Sequence, residues 1–441
     1  MSVTAVIQPR LAAPYTSGLQ EVGSRRLSRQ PPSWLQSLVL AWIVLSTIET
    51  VVLGALPYVD FFIGMMIVVG LAQYARGAIR LDVAQYIFLG CILVGGAVGD
   101  VPLVGVWWAG KLGLIFLIGV TLSATPSVGP TVGKGLIVSG CIHSLACAGA
   151  MLGVGWCQGI VLGDGRVGTV LSGPGALWRT VTFLLSYCLL AALLATRRAT
   201  ITTAIVGLTL SVLAIWCDGS RTALVILPLT LLVVALWQFS AVRARRLLVA
   251  GSGLSCVVAI GGLGLSEGLE QHAALSRFTS IFSFNGSAVE VLEEWDWARL
   301  QGIRTAVDAI WHSPLFGNGL LTTVVDVDNA ANVAFDTQVV HNSYLQVWGD
   351  LGILGVVAFV AIVWSWLPEM KRTVGARTPK QMHCTCLRYA SLVTLLVFGL
   401  SFLLHPFTVT LNDWIAFVGP CSVLAAQRKV GRAQQPGESV K

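Results

Sequence analysis

The chain has 441 residues, 55% of them hydrophobic and only 11% charged, with a mean hydropathy of +0.78. Globular domains carry roughly 25% charged residues, so this chain lacks the polar cover of a water-soluble fold, and a soluble domain is excluded. The net charge of +7 in so apolar a chain reflects how loop charges are distributed about a membrane, not a nucleic-acid surface.

Residues 1–33 have no apolar core followed by a cleavage site, so they read as a disordered cytoplasmic tail, with the first span as signal anchor. From residue 34 onward, runs of about 20 apolar residues recur, the length a membrane-crossing helix needs. They do not alternate apolar and polar as barrel strands do. Twelve spans are predicted: 34–54, 57–75, 83–99, 102–122, 133–155, 176–195, 200–216, 221–238, 247–265, 342–366, 388–405 and 409–426. The fold class is therefore all-α, a polytopic membrane protein. Transmembrane helices occupy 34–265 and 341–426, one long loop occupies 266–340, and 427–441 form a cytoplasmic tail.

Orientation follows from Lys and Arg. With this set of spans, 21 of the 28 basic residues fall on one side, including both tails, Lys134, Arg197, Arg198 and the trio Arg243, Arg245 and Arg246. Both termini are expected to be cytoplasmic. The loop 266–340 then lies outside, with ten acidic residues against three arginines. Within it, Leu292, Trp295, Ile303, Ala306 and Ile310 recur at helical spacing, which predicts an amphipathic helix on the outer face. Of the ten cysteines, Cys91, Cys141, Cys147, Cys188 and Cys256 fall in apolar runs, and only Cys384 and Cys386 are close in sequence. They read as small buried apolar side chains, not as a disulfide framework or metal site.

The polar residues that could carry chemistry gather at the outer ends of spans. His341 begins HNSYLQVWGDLGILG, where the loop re-enters the membrane. His341, Tyr344, Trp348, Gly352 and Gly355 share one helical stripe by spacing, and the two glycines would admit a neighbouring helix. Asn342 is a candidate N-cap. The bland alternative for His341 is an interfacial imidazole that only bonds a neighbour. Arg221, in CDGSRTALVIL, opens a span on the side the charge rule disfavours, with Asp218 or Ser220 as cap. Its bland alternative is a guanidinium snorkelling to the headgroups. Arg299 and Arg304 are five residues apart on the loop helix, too far around the axis to share one ligand, and Asp296 and Asp308 offer each an ordinary surface partner. SPLFGNGL at 313–320 reads as a tight turn, with Asn318 tolerating left-handed geometry. Lys111 and His143 fall inside spans, where a functional and a hydrogen-bonded structural role are both open.

His341-Asn342 followed by Gly352 and Gly355, with R-(x)14-PLFGNG starting at Arg299 and with Ser220-Arg221-Thr222, resembles the signature of the bacterial O-antigen ligase and polymerase family. Asn318 departs from the family, which more often has an apolar residue there. The resemblance implies a GT-C-like membrane glycosyltransferase with about 12 transmembrane helices in the inner membrane, working on the periplasmic side without nucleotide sugar, cofactor or metal. It implies an undecaprenyl-diphosphate-linked oligosaccharide donor and a glycan or lipid A-core acceptor. Membrane lipid and other polysaccharide-assembly proteins would be its further partners. On this reading His341, Arg221 and Arg299 are catalytic. Arg304, Asn342, Tyr344 and Asn318 contact substrate. Polymerase is favoured slightly over ligase by the short, acidic loop. The competing classes are a secondary transporter or flippase of lipid-linked saccharides and a non-catalytic assembly scaffold. Twelve spans and the intramembrane Lys111 and His143 are compatible with transport. Transport also predicts ionisable groups near the midplane of several spans and similarity between halves. The informative polar residues instead cluster at the outer face, and no strong internal repeat is seen.

Overall fold

The computed structural model describes residues 32–48, 64, 68, 81–99, 102–161, 167–172, 176–218, 221–237, 251, 302–321, 340–366, 379–403 and 411–433. The predicted spans 57–75 and 247–265, Arg299 and most of the long loop lie outside the described residues. The helices within them are α1 (Ser33–Ser46), α2 (Val83–Val98), α3 (Pro102–Ala124), α4 (Gly129–Met151), α5 (Leu177–Leu194), α6 (Arg198–Asp218) and α7 (Arg221–Trp237). They continue with α8 (302–312), α9 (Ser343–Trp366), α10 (Pro379–Ser401) and α11 (Leu411–Ala433). Six of them, α3, α4, α5, α6, α9 and α10, are long and apolar enough to cross a membrane. The protein is a polytopic all-α membrane protein. Among the described residues it also has an antiparallel hairpin of β1 (Gln158–Val161) and β2 (Val167–Thr169) between α4 and α5, which hydrophobic periodicity did not reveal.

Several predicted edges are corrected. α1 stops at Ser46, not 54: Thr47 caps it and bonds Val44 O with its hydroxyl at 2.7 Å. α4 runs four residues earlier than expected at each end, because Pro130 suits a first helical turn and Val154 N–H folds back onto Gly149 O at 2.9 Å. α10 begins at Pro379, so the basic residues Lys380 and Arg388 ride on the helix itself.

Local chemistry explains the helix starts. Asp82 and Gln85 form a reciprocal box at the head of α2, with Gln85 N–H donating to Asp82 Oδ1 at 2.8 Å. α5 has no cap of its own. Its first N–H, from Leu177, donates to the buried carboxylate of Asp218 at the end of α6, 2.8 Å away. Asp218 therefore fastens α5, where the sequence suggested a cap for α7.

α4 packs on α1, α5, α6 and α11, and α2 sits between α3 and α9. Trp42, Trp178, Phe183, Leu184 and Phe398 are fully enclosed in the core. Leu103, Val106 and Trp107 on α3 and Val357, Val360 and Trp364 on α9 are exposed, as suits a surface turned to lipid. Several buried hydroxyls turn back onto their own helices, as in Thr182 to Trp178 O at 2.6 Å and Ser391 to Leu387 O at 2.7 Å. Such bonds satisfy hydroxyls where no water is at hand. His143 is also buried, with Nε2 3.2 Å from Thr47 Oγ1, and Thr47 in turn pairs with Ser139. This polar join between α1 and α4 engages one ring nitrogen of His143, while the buried Nδ1 has no hydrogen-bond partner among the described residues. Lys111 sets its ammonium over the Trp107 ring, 5.1 Å from the centroid.

Candidate active site at one end of the bundle

The two glycine-bearing motifs of the sequence meet each other. Gly352 interrupts α9 with φ 69° and ψ 179°, a backbone region open essentially to glycine alone. The turn 313–320 docks against this break. Asn318 N–H bonds Gly349 O at 2.9 Å, Gly319 N–H bonds Asp350 O at 3.0 Å, and Ile353 N–H returns to Pro314 O at 2.9 Å. Gly317, at φ 75°, approaches so closely that a Cβ there would collide with Asp350 O and lie 2.5 Å from Gly352 N. The turn also reaches α2, where Leu320 N–H bonds Gly95 O at 2.7 Å. Asn318 directs its amide nitrogen to Ala309 O at 2.6 Å and Gly349 O at 3.2 Å, tying the end of α8 to α9. The buried Asp350 accepts from Leu321 N–H at 3.3 Å.

This geometry corrects the stripe read from sequence. His341 precedes the helix by two residues, and Gly352 breaks the register that was to carry the stripe to Gly355. What Gly352 admits is a turn, not a neighbouring helix. A Cβ on Gly355 would meet Leu351 of its own helix.

His341 is half-buried at the mouth of α9, after the fully buried Val340. Asn342 caps the helix as expected, its Oδ1 accepting from the N–H groups of Tyr344 and Leu345, both at 3.1 Å. Ser343 N–H donates to Phe402 O at 2.9 Å, and Tyr344 O–H to Gly399 O at 2.5 Å, so the tail of α10 fixes the head of α9. The start of α8 lies against the residue before His341: a Cβ on Gly302 would sit 3.5 Å from Val340 Cα. Arg304, exposed, follows Gly302 by two residues. Arg299, three residues upstream of it, lies outside the described residues.

Arg221 opens α7, three residues after Asp218. Asp218 holds the head of α5, where the Trp178 ring packs on Phe398 with centroids 5.3 Å apart. Phe398 contacts Phe402, which contacts Tyr344, with centroids 6.2 and 6.4 Å apart. The heads of α5, α7 and α9 and the tails of α6 and α10 thus share one end of the bundle, and Arg221, Arg304, Asn318, His341, Asn342 and Tyr344 all stand on it. Lys134, Arg197, Arg198 and Arg388 belong to the other ends of α4, α5, α6 and α10. Two further residues at this end were not singled out by sequence. Arg179 lies 5.6 Å from the Trp178 ring centroid, and its only signal was a basic residue on the disfavoured side. Gln346 is fully buried one turn into α9, and its signal was a polar residue inside an apolar run.

No metal-ligating group of three His, Cys, Asp or Glu side chains occurs among the described residues. Residues 183–360 match the family model described as O-antigen ligase. This stretch belongs to the O-antigen ligase/polymerase family. It runs from within α5 past the break in α9 and includes Arg221, Arg299, Arg304, Asn318, His341, Asn342 and Tyr344. The match supports, in general terms, membrane glycosyl transfer of the O-antigen ligase/polymerase type, with a lipid-linked glycan donor and a glycan acceptor. No curated protein matches the chain.

Proposed function

We propose that this O-antigen ligase-family protein is a GT-C-like glycosyltransferase of about 12 spans. It would transfer a glycan from undecaprenyl diphosphate to an acceptor hydroxyl on the periplasmic side of the inner membrane. The observation that carries the reading is the convergence at His341: the start of the loop helix α8 packs on Val340 while the end of α10 fixes Ser343 and Tyr344. An imidazole held in this way, at a rim bordered by arginines, suits base-assisted attack on a sugar diphosphate.

In this reading His341 removes the proton from the acceptor hydroxyl, since an imidazole titrates near neutrality where general bases work well. The freed oxygen attacks the anomeric carbon from the face opposite the diphosphate and inverts it. The bond from that carbon to the diphosphate oxygen breaks, and its electron pair leaves with the prenyl diphosphate. Arg221 and Arg299 pair with the oxygens on which charge develops, through the planar, permanently charged guanidinium. Each such donor contributes a few kcal/mol, about 3, in a site shielded from water. Arg304, Asn342 and Tyr344 border the same rim and contact the glycan. Asn318 acts through the turn it holds.

The test is a complementation assay. His341→Ala and Arg221→Ala should each abolish glycan transfer while membrane insertion is kept. Normal glycan length and attachment in either variant would defeat its assignment. Surface glycans of a deletion strain separate polymerase from ligase: unpolymerised single repeats for the first, unattached full-length chains for the second. Polymerase is our preferred form.

A further inference from the structure

Three sulfur atoms from two helices meet at the end of the bundle that bears His341. Cys147 and Met151 are four residues apart and share one face of α4. Cys217, the penultimate residue of α6, meets that face: its Sγ lies 3.0 Å from Met151 Sδ. The contact sets Cys217 against the face of α4 that carries Cys147, one turn before Met151. Both are free thiols, Cys147 buried and Cys217 half-buried. Cys157, the other nearby cysteine, touches α4 at Gly149, two residues and so about 200° around from Cys147. It faces away from the pair.

We propose that Cys147 and Cys217 close to a disulfide in the working protein, joining α4 to α6 beside the catalytic end. The inference rests on the reading that this end faces the periplasm, where disulfides form and persist. Cys217, the more accessible thiol, attacks the disulfide of an oxidised carrier protein as its thiolate and releases one carrier thiol. Cys147, also as a thiolate, then displaces the second carrier sulfur from the mixed disulfide. The pair gives up two electrons and two protons, and the carrier takes them up as a dithiol. Once closed, the bond links residues 70 positions apart and clamps the tail of α6, whose Asp218 holds α5.

The experiment uses the full chain in native membranes. Free thiols are blocked with N-ethylmaleimide under denaturing conditions, disulfides are then reduced, and newly freed thiols are tagged with a polyethylene-glycol maleimide. Two tags per chain are expected after reduction. Cys147→Ser and Cys217→Ser should each remove both tags, whereas Cys157→Ser should remove neither. In parallel, Leu152→Cys, at a position 83% exposed at the tail of α4, is placed in a Cys147→Ser/Cys217→Ser background. It is probed on intact spheroplasts with a membrane-impermeant maleimide, against the same background without it. Labelling of Leu152→Cys with no tag on Cys147 and Cys217 would overturn the disulfide and leave the orientation standing. Labelling only after lysis would overturn the orientation itself.

Discussion

Gly352 shows how one residue sets the geometry of the site. Its dihedrals belong to glycine, and a Cβ there would strike Leu315 O. Gly352→Ala is expected to destabilise the protein by about 1–3 kcal/mol through backbone strain alone. The check is a thermal melt in detergent, with glycan transfer falling alongside. Asn318 is subtler. Asn318→Ala removes the two bonds its amide makes, each worth about 1 kcal/mol, while Ser313 N–H and the backbone N–H of residue 318 still serve the same carbonyls. Asn318→Asp sets an acceptor against those carbonyls and should melt lower still; an Asp variant as stable as wild type would contradict the bonding described. The cap at Asn342 was legible in the sequence because capping is local chemistry, satisfied within three residues. The break at Gly352 was not. Its partner turn lies more than 30 positions upstream, and a stripe drawn by helical spacing takes an unbroken helix for granted.

Elements hold together here through ends as much as through faces. α5 begins on a carboxylate supplied by α6, from 41 residues away. Asp218→Ala should cost about 1.5–3 kcal/mol, the range for a bond to a charged group, while Asp218→Asn keeps an acceptor oxygen and should recover part of the loss. Equal melting temperatures for the two variants would contradict the bond as the fastening. No spacing rule could have assigned this cap, since the chain leaves α5, crosses the bundle twice and returns before supplying it. The positions of α2, α3, α5, α6 and α9 were legible to within a few residues, because a membrane fixes both the length and the composition of what crosses it. The hairpin between α4 and α5 escaped notice because its strands are four and three residues long, too short to establish a period of two.

For the whole molecule, the charge distribution and the helix ends describe one polarity. Arg221, Arg304 and His341 belong to one end of the bundle, and Lys134, Arg197, Arg198 and Arg388 to the other. Reporter fusions should therefore divide accordingly. A reporter active only outside the cytoplasm is expected to work after Trp156 or in the loop 266–340, and to be silent after Arg197. The reverse pattern would turn the protein over and put His341 in the cytosol. The separation of these residues to opposite ends was readable from sequence through the charge rule, and which end faces outward is what the fusions test, whereas the convergence of α8 on Val340 needed coordinates.

The seating of 313–320 in the gap at Gly352 also orders events in time. During synthesis the turn leaves the ribosome well before the segment that receives it, so it must wait, unseated, for the next span to arrive. The candidate site is consequently a late product of biogenesis, and a nascent chain halted before Ser343 holds the loop without a keystone.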